Sequence, residues 1–293
     1  MTVVVAWKRT LKQGTEELCL ASDSRLRDGR TIDTAPKLFP LLRGDICLAF
    51  AGETGVAYPF VLQAINASNS FRASRSRGLD IIEYRSHLIK ILNQIIDGIE
   101  TPFEDLKLPE VQIVLAGYSW LKKVFHIWLI GYDMQLHKFH YRSGSSIAKK
   151  PESIIYAGDQ ADHLRKSLTA FLRKKYGYQF NKFTLDYEPL EVLINELRCS
   201  SGSSTIGGPP QLVKIYQHIN TIAIPIYWPT KISNKITLLG RTLFGYENVD
   251  EWVLDPDTFE RHNAFHIKTW NKSMKTLSPS LAPAVKGTAK RHT

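Results

Sequence analysis

No run of eighteen or more apolar residues occurs in this chain of 293 residues, which argues against a membrane-spanning helix. The first residues carry neither a basic segment nor the apolar core of a secretory signal, so a cytoplasmic location is expected. Cysteine is scarce. Cys19, Cys47 and Cys199 are too far apart for a zinc site and odd in number, which argues against a disulfide framework and fits a reducing compartment. Cys19 and Cys47 lie in apolar strand-like runs and read as small buried hydrophobes. Acid is absent from residues 261–293, where Arg261, Lys268, Lys272, Lys275, Lys286, Lys290 and Arg291 supply +7 of the net charge of +10 and leave +3 on residues 1–260. The excess charge therefore marks a basic tail rather than a basic face on a folded body, and nucleic acid is not the expected partner.

What is present is an ordinary globular composition, 43% apolar and 23% charged, with enough chain for one large domain and an appendage. Residues 2–7 and 17–21 are apolar strand-like runs that form a hairpin across the polar segment 8–16. Asp28-Gly29-Arg30 signals a turn. Residues 38–42 and 45–51 form a second hairpin turning at Arg43-Gly44. Residues 53–71 and 79–99 carry apolar side chains at helical spacing, and Pro59 is placed near the first turn of the former, where it is tolerated. Three strands follow over 110–120, 124–132 and 135–142, then a short strand over 153–157. Helices are expected over 159–175 and 189–198, and strands over 212–217 and 221–228. Strands and helix pairs in this order predict an α+β fold in which two stacked sheets lie between two helical layers. Beyond it, residues 229–275 read as an extension with β character. Residues 276–293, rich in Pro, Ser and Ala, read as a disordered basic tail.

The candidate chemistry lies in the first fifty-odd residues. Removal of Met1 would make Thr2 the N-terminal residue, joining a hydroxyl nucleophile to its own base, an α-amine with a pKa near 8. Asp23 closes one apolar strand and Lys37 precedes another. A lysine beside the hydroxyl favours the alkoxide, and an acid paired with it fixes its position. Gly52, in Ala49-Phe50-Ala51-Gly52-Glu53-Thr54-Gly55, leaves a strand for a helix and offers a backbone N–H to an oxyanion. His137 and His140 fall on opposite faces of a strand and share no metal. The loop Gly202-Ser203-Ser204-Thr205-Ile206-Gly207 lacks the lysine of a phosphate loop. No metal or cofactor is expected.

Thr2, the segment Ala21-Ser22-Asp23-Ser24-Arg25, the segment Ala35-Pro36-Lys37-Leu38-Phe39 and the Ala51-Gly52 turn together resemble the proteasome β-subunits and the bacterial HslV peptidase, members of the N-terminal-nucleophile (Ntn) hydrolases. The resemblance covers residues 2–228. It implies a four-layer αββα sandwich and a threonine peptidase in which Thr2, Asp23, Lys37 and Gly52 act together. It also implies a peptide or unfolded-protein substrate, self-assembly, and an ATPase unfoldase as partner. By the same resemblance, Phe50 would line the pocket for the side chain preceding the scissile bond, with Ala35 and Thr54 beside it. The Thr2–Asp23 interval is about five residues longer than in the family, an excess placed in the turn over 8–16. The family carries Ser-Gly before its third helix, where this chain reads Ala157-Gly158-Asp159-Gln160. It carries an acid before a late strand, where this chain reads Ser203-Ser204-Thr205-Ile206-Gly207-Gly208 and Ser204 is the stand-in. Glu53 occupies a position that is often small in the family. Two other readings stand beside the peptidase: a non-catalytic structural subunit of a proteasome-like assembly, and a nucleic-acid-associated protein acting through the basic tail.

Overall fold

The structure is a computed structural model that describes residues 2–11, 14–100, 107–143, 154–177, 184–218, 220–247, 249 and 252–263. The chain runs β1 (Val4–Thr10), β2 (Glu16–Ser22), β3 (Leu26–Asp28), β4 (Arg30–Ile32), β5 (Leu38–Pro40), β6 (Ile46–Ala51), α1 (Thr54–Ser70), α2 (Arg72–Arg75) and α3 (Ile81–Asp97). It continues β7 (Gln112–Ser119), β8 (Val124–Asp133), β9 (Lys138–Ser143), β10 (Ile154–Ala157), α4 (Ala161–Tyr176), α5 (Glu188–Cys199), β11 (Gln211–Tyr216) and β12 (Asn220–Ala223). Four further strands follow β13 (Ile226–Tyr227): β14 (Ile236–Leu238), β15 (Arg241–Thr242), β16 (Val253–Leu254) and β17 (Arg261–His262). The fold is α+β, as the order of elements predicts.

Two five-stranded antiparallel sheets carry the core, in the orders β10-β1-β2-β11-β12 and β5-β6-β7-β8-β9. β6, β7 and the buried parts of β1 and β2 are apolar at nearly every position because both of their faces are covered, and the two-residue strand period deals alternate side chains to opposite faces. In β1, Val4 and Ala6 join Leu18, Leu20, Cys47, Ala49, Ala51, Val114 and Ala116 in a cluster shared by the two sheets. Val3, Val5 and Trp7 point the other way, into a cluster with Leu164, Leu168, Leu190 and Leu193 of α4 and α5. In β6, Ile46, Leu48 and Phe50 turn from the shared cluster to pack with Phe60, Val61, Leu88 and Leu92 of α1 and α3. Cys19 and Cys47 are fully buried.

Local chemistry accounts for the departures. The polar segment over 8–16 is not a turn alone: Lys8, Arg9 and Thr10 pair with Leu18, Glu17 and Glu16 and lengthen the hairpin strands. Pro59 is the sixth residue of α1, beyond its first turn, where a proline removes one i→i−4 hydrogen bond. The single strand expected over 221–228 is two strands. Pro225 has no N–H to continue a ladder, and the chain leaves β12 there and enters a third sheet, β15-β14-β13-β16-β17, where Ile226 pairs in parallel with Leu254.

That sheet ties the extension to the main body. Leu254 lies in the same cluster as Val3 and Trp7, with Trp252 and Phe259 packed against it. Phe259 stacks on Tyr187, the two ring centroids 5.4 Å apart. Tyr187 in turn accepts a 2.6 Å hydrogen bond from the buried ammonium of Lys214, which is paired with Glu17 at 2.7 Å. The disordered tail expected over 276–293 lies outside the described residues. No helix among the described residues is long and apolar enough to cross a membrane.

Candidate active site

Thr2 stands immediately before β1, and strand register decides what surrounds it. Val4 pairs with Ser22 on one side and with Ala157 on the other. The residues just after those partners, Asp23 and Gly158-Asp159, are thereby brought to the start of β1. Ser22 also pairs with Gln211, which sets the Gly207–Gln211 segment against Asp23. In the second sheet Ala51 pairs with Gln112, whose Oε1 accepts a 2.9 Å hydrogen bond from the Gly158 N–H. That bond ties the Gly52 turn to the Thr2 end of the first sheet.

Asp23 and Lys37 form a completely buried ion pair, Nζ to Oδ1 2.7 Å. The same Oδ1 accepts the Val3 N–H at 3.2 Å, and Oδ2 accepts the N–H groups of Arg25 and Gly207 at 3.0 and 3.2 Å. Four donors thus converge on one buried carboxylate and satisfy it. Burial holds the Lys37 ammonium below the ordinary lysine pKa, against the opposing pull of Asp23 and the field of Asp159. Lys37 Nζ is one shared oxygen away from the residue that follows Thr2.

A second set of contacts immobilises this pair. Gln211 Oε1 accepts the Lys37 N–H at 3.0 Å, while Nε2 donates to the carbonyls of Asp23 and Ala35 and to Ser24 Oγ. Arg25 grips Asp33 with two bonds of 2.6 and 2.8 Å and donates to the Ser201 and Ser204 carbonyls. A Cβ at Gly207 would lie 2.4 Å from Arg25 Cζ, so the glycine at 207 admits that guanidinium.

Thr2 itself is fully buried, and its Oγ1 has no hydrogen-bond partner among the described residues. An unpaired buried hydroxyl costs about 1–3 kcal/mol, a cost that a nucleophile awaiting a substrate carbonyl would carry. The Thr2 nitrogen donates to Asp159 Oδ1 at 2.7 Å.

Gly52 lies between β6 and α1 with φ of +106°, and a Cβ there would fall 1.7 Å from the Glu110 carbonyl oxygen. Gly158, with φ of +99°, is equally constrained: its Cβ would sit 1.9 Å from the Thr2 carbonyl oxygen and 3.2 Å from Ala51 Cβ. Gly158 therefore bridges Thr2 to the residue before Gly52. Gly158→Ala is expected to lower stability by at least ~2 kcal/mol through overlap with rigid backbone. Gly14→Ala, where φ is +79° but no atom lies within 4 Å of the added Cβ, is expected to cost only about 1 kcal/mol of backbone strain. Denaturant midpoints of the two variants check the difference.

Of the four residues read from the sequence, Asp23 and Lys37 are paired, Thr2 is joined to that pair through the N–H of its neighbour Val3 and not through its hydroxyl, and Gly52 is linked to Thr2 through Ala51 and Gly158. Ser204, the stand-in that the resemblance suggests, keeps its hydroxyl within its own loop. Its Oγ accepts the Ser201 N–H at 2.9 Å. Asp159, on a different element, is the acid that reaches Thr2. It stands in the segment Ala157-Gly158-Asp159-Gln160, and its relevance follows once β10 is known to flank β1. Gly207 stands in the segment Ser203-Ser204-Thr205-Ile206-Gly207-Gly208, whereas Gln211 has no local signal in the sequence. Phe50 is fully buried, its ring centroid 4.8 Å from that of Tyr58 and 6.2 Å from that of Phe39, so the space at that position is filled. Glu53 faces Lys107 at 3.7 Å and adds nothing to Thr2. Comparison with protein-family models and with curated proteins returns no match for this chain.

Proposed function

We propose that the chain is a threonine peptidase of the proteasome and HslV type, built on a four-layer αββα sandwich and armed by removal of Met1. The observation that carries the reading is the buried Asp23–Lys37 pair, bonded to the backbone N–H of Val3, together with a buried Thr2 hydroxyl that has no partner among the described residues. The freed α-amine takes the proton from Oγ1 as Oγ1 attacks the peptide carbonyl. Lys37 favours the developing alkoxide. The Gly52 N–H, near the N-terminus of α1, holds the oxyanion of the tetrahedral intermediate. Its collapse breaks the C–N bond, the amine returns the proton to the departing nitrogen, and an ester on Thr2 is left. Water, deprotonated by the same amine, then hydrolyses the ester. The same resemblance suggests a cytoplasmic, self-assembled particle fed with unfolded protein by an ATPase.

Peptide esters, which acylate faster than amides, provide the test. A burst of product equal to the amount of chain with a free Thr2, followed by slower turnover, is the expected result. Absence of both burst and turnover across esters of varied sequence would remove the enzyme reading. It would leave the second one, a non-catalytic subunit of such an assembly, which the complete burial of Thr2 favours.

The site lies wholly within elements that precede the basic tail. Truncation after Lys275 removes Lys286, Lys290 and Arg291 together with a segment poor in apolar residues. Folding and peptide hydrolysis are expected to be unchanged. Loss of hydrolysis by a folded truncated protein would show that the tail completes the site or its active assembly.

A further inference from the structure

The proposed chemistry needs one thing the Asp23–Lys37 pair does not supply, a group that holds the amine itself. Thr2 N reaches Asp159 Oδ1 across 157 positions of sequence, because β10 pairs along β1 and the glycine at 158 lets the chain pass against the Thr2 carbonyl. With Met1 attached, that nitrogen is an amide with one N–H. Once freed, it is an ammonium with three, and the same contact becomes an ion pair. We propose that Asp159 is the positioning residue of the Thr2 amine: it aims the amine and sets the pH at which the amine becomes a base. This rests on the reading of Thr2 as the N-terminal nucleophile.

The other charges around Thr2 are already committed. Asp23 holds Lys37 and three backbone N–H groups. Asp33 holds Arg25, Glu53 faces Lys107 beyond the Gly52 turn, and Asp162 in the first turn of α4 pairs with Arg165. Lys37 repels the ammonium and eases loss of its proton, whereas Asp159 opposes that loss. Asp159 is exposed, so water screens its charge and an effect of about one pH unit is expected rather than several.

Asp159→Asn keeps an acceptor oxygen and removes the charge; Asp159→Glu keeps the charge on a longer arm. The amine is titrated by brief exposure to a limiting amount of isotope-labelled acetic anhydride at a series of pH values. Acetylation of the N-terminal peptide is read by mass spectrometry, and the pH profile of kcat/KM for a short peptide is measured alongside. In Asp159→Asn both the acetylation midpoint and the acid limb of the profile are expected to fall by about one pH unit. In Asp159→Glu the midpoint is expected to stay within a few tenths of a unit of the wild-type value while kcat falls several-fold, because the aim is lost. Equal midpoints in wild type and Asp159→Asn would overturn the inference and leave the peptidase reading intact. A titrating amine that shifts as expected in a protein without hydrolysis supports the inference and removes the peptidase reading. Retention of Met1 on the purified protein overturns both.

Discussion

Thr2→Ala is expected to abolish peptide hydrolysis while leaving a protein as stable as the wild type. The substitution removes the atom that forms the acyl bond, and the amine and oxyanion donor have nothing left to activate. Loss of an essential nucleophile lowers kcat by on the order of 10⁶-fold where it has been dissected in hydrolases, so residual turnover should lie below detection. Stability should barely move, because two small terms oppose each other. Removing the buried methyl costs roughly 1 kcal/mol. Removing a hydroxyl that has no partner returns about 1–3 kcal/mol. Matching thermal unfolding midpoints together with lost hydrolysis confirm the expectation. Normal turnover by folded Thr2→Ala protein would remove Thr2 from the chemistry.

Lys37→Ala is expected to damage both activity and fold. The lysine and Asp23 are each fully buried and joined at 2.7 Å. Removal of one partner of such a pair typically costs about 3–5 kcal/mol, because the other charge is left without compensation. Here the three N–H groups that still face Asp23 place the cost near the lower end of that range. Activity should fall about 10²-fold or more as the positive charge of the buried pair disappears. The double variant Lys37→Met, Asp23→Leu separates the two effects. Apolar replacement of both members is often neutral for stability, so the unfolding midpoint should recover while hydrolysis stays lost. Recovery of hydrolysis together with the midpoint would mean that the pair serves the fold alone.

Much of the fold was legible because its elements are long and sharply bounded. β1, β2, β6 and β7 are apolar runs closed by polar or glycine turns, and α3 has its apolar face at helical spacing under an Asp80–Glu83 capping box. Thr2 and Asp23 were legible because they adjoin β1 and β2, and Lys37 because it immediately precedes the apolar start of β5. Asp159 was passed over as a departure from the Ser-Gly pattern. Its meaning depends on which strand lies beside β1, and pairing between strands 150 residues apart leaves no trace in local periodicity. Gln211 reads as an ordinary strand residue until β11 is seen to pair with β2. The third sheet was legible only in outline, since its strands are two or three residues long, shorter than any hydrophobic period can register.

The central claim, that Thr2 is an N-terminal nucleophile, is tested most directly by top-down mass spectrometry of the full chain after exposure to a peptide β-lactone. The lactone carbonyl is opened by a nucleophile and leaves a stable ester. The expected result is a chain that begins at Thr2 and carries one acyl group on that residue, with no adduct on the Thr2→Ala protein. A chain that retains Met1, or a single adduct at any other residue, would contradict the claim.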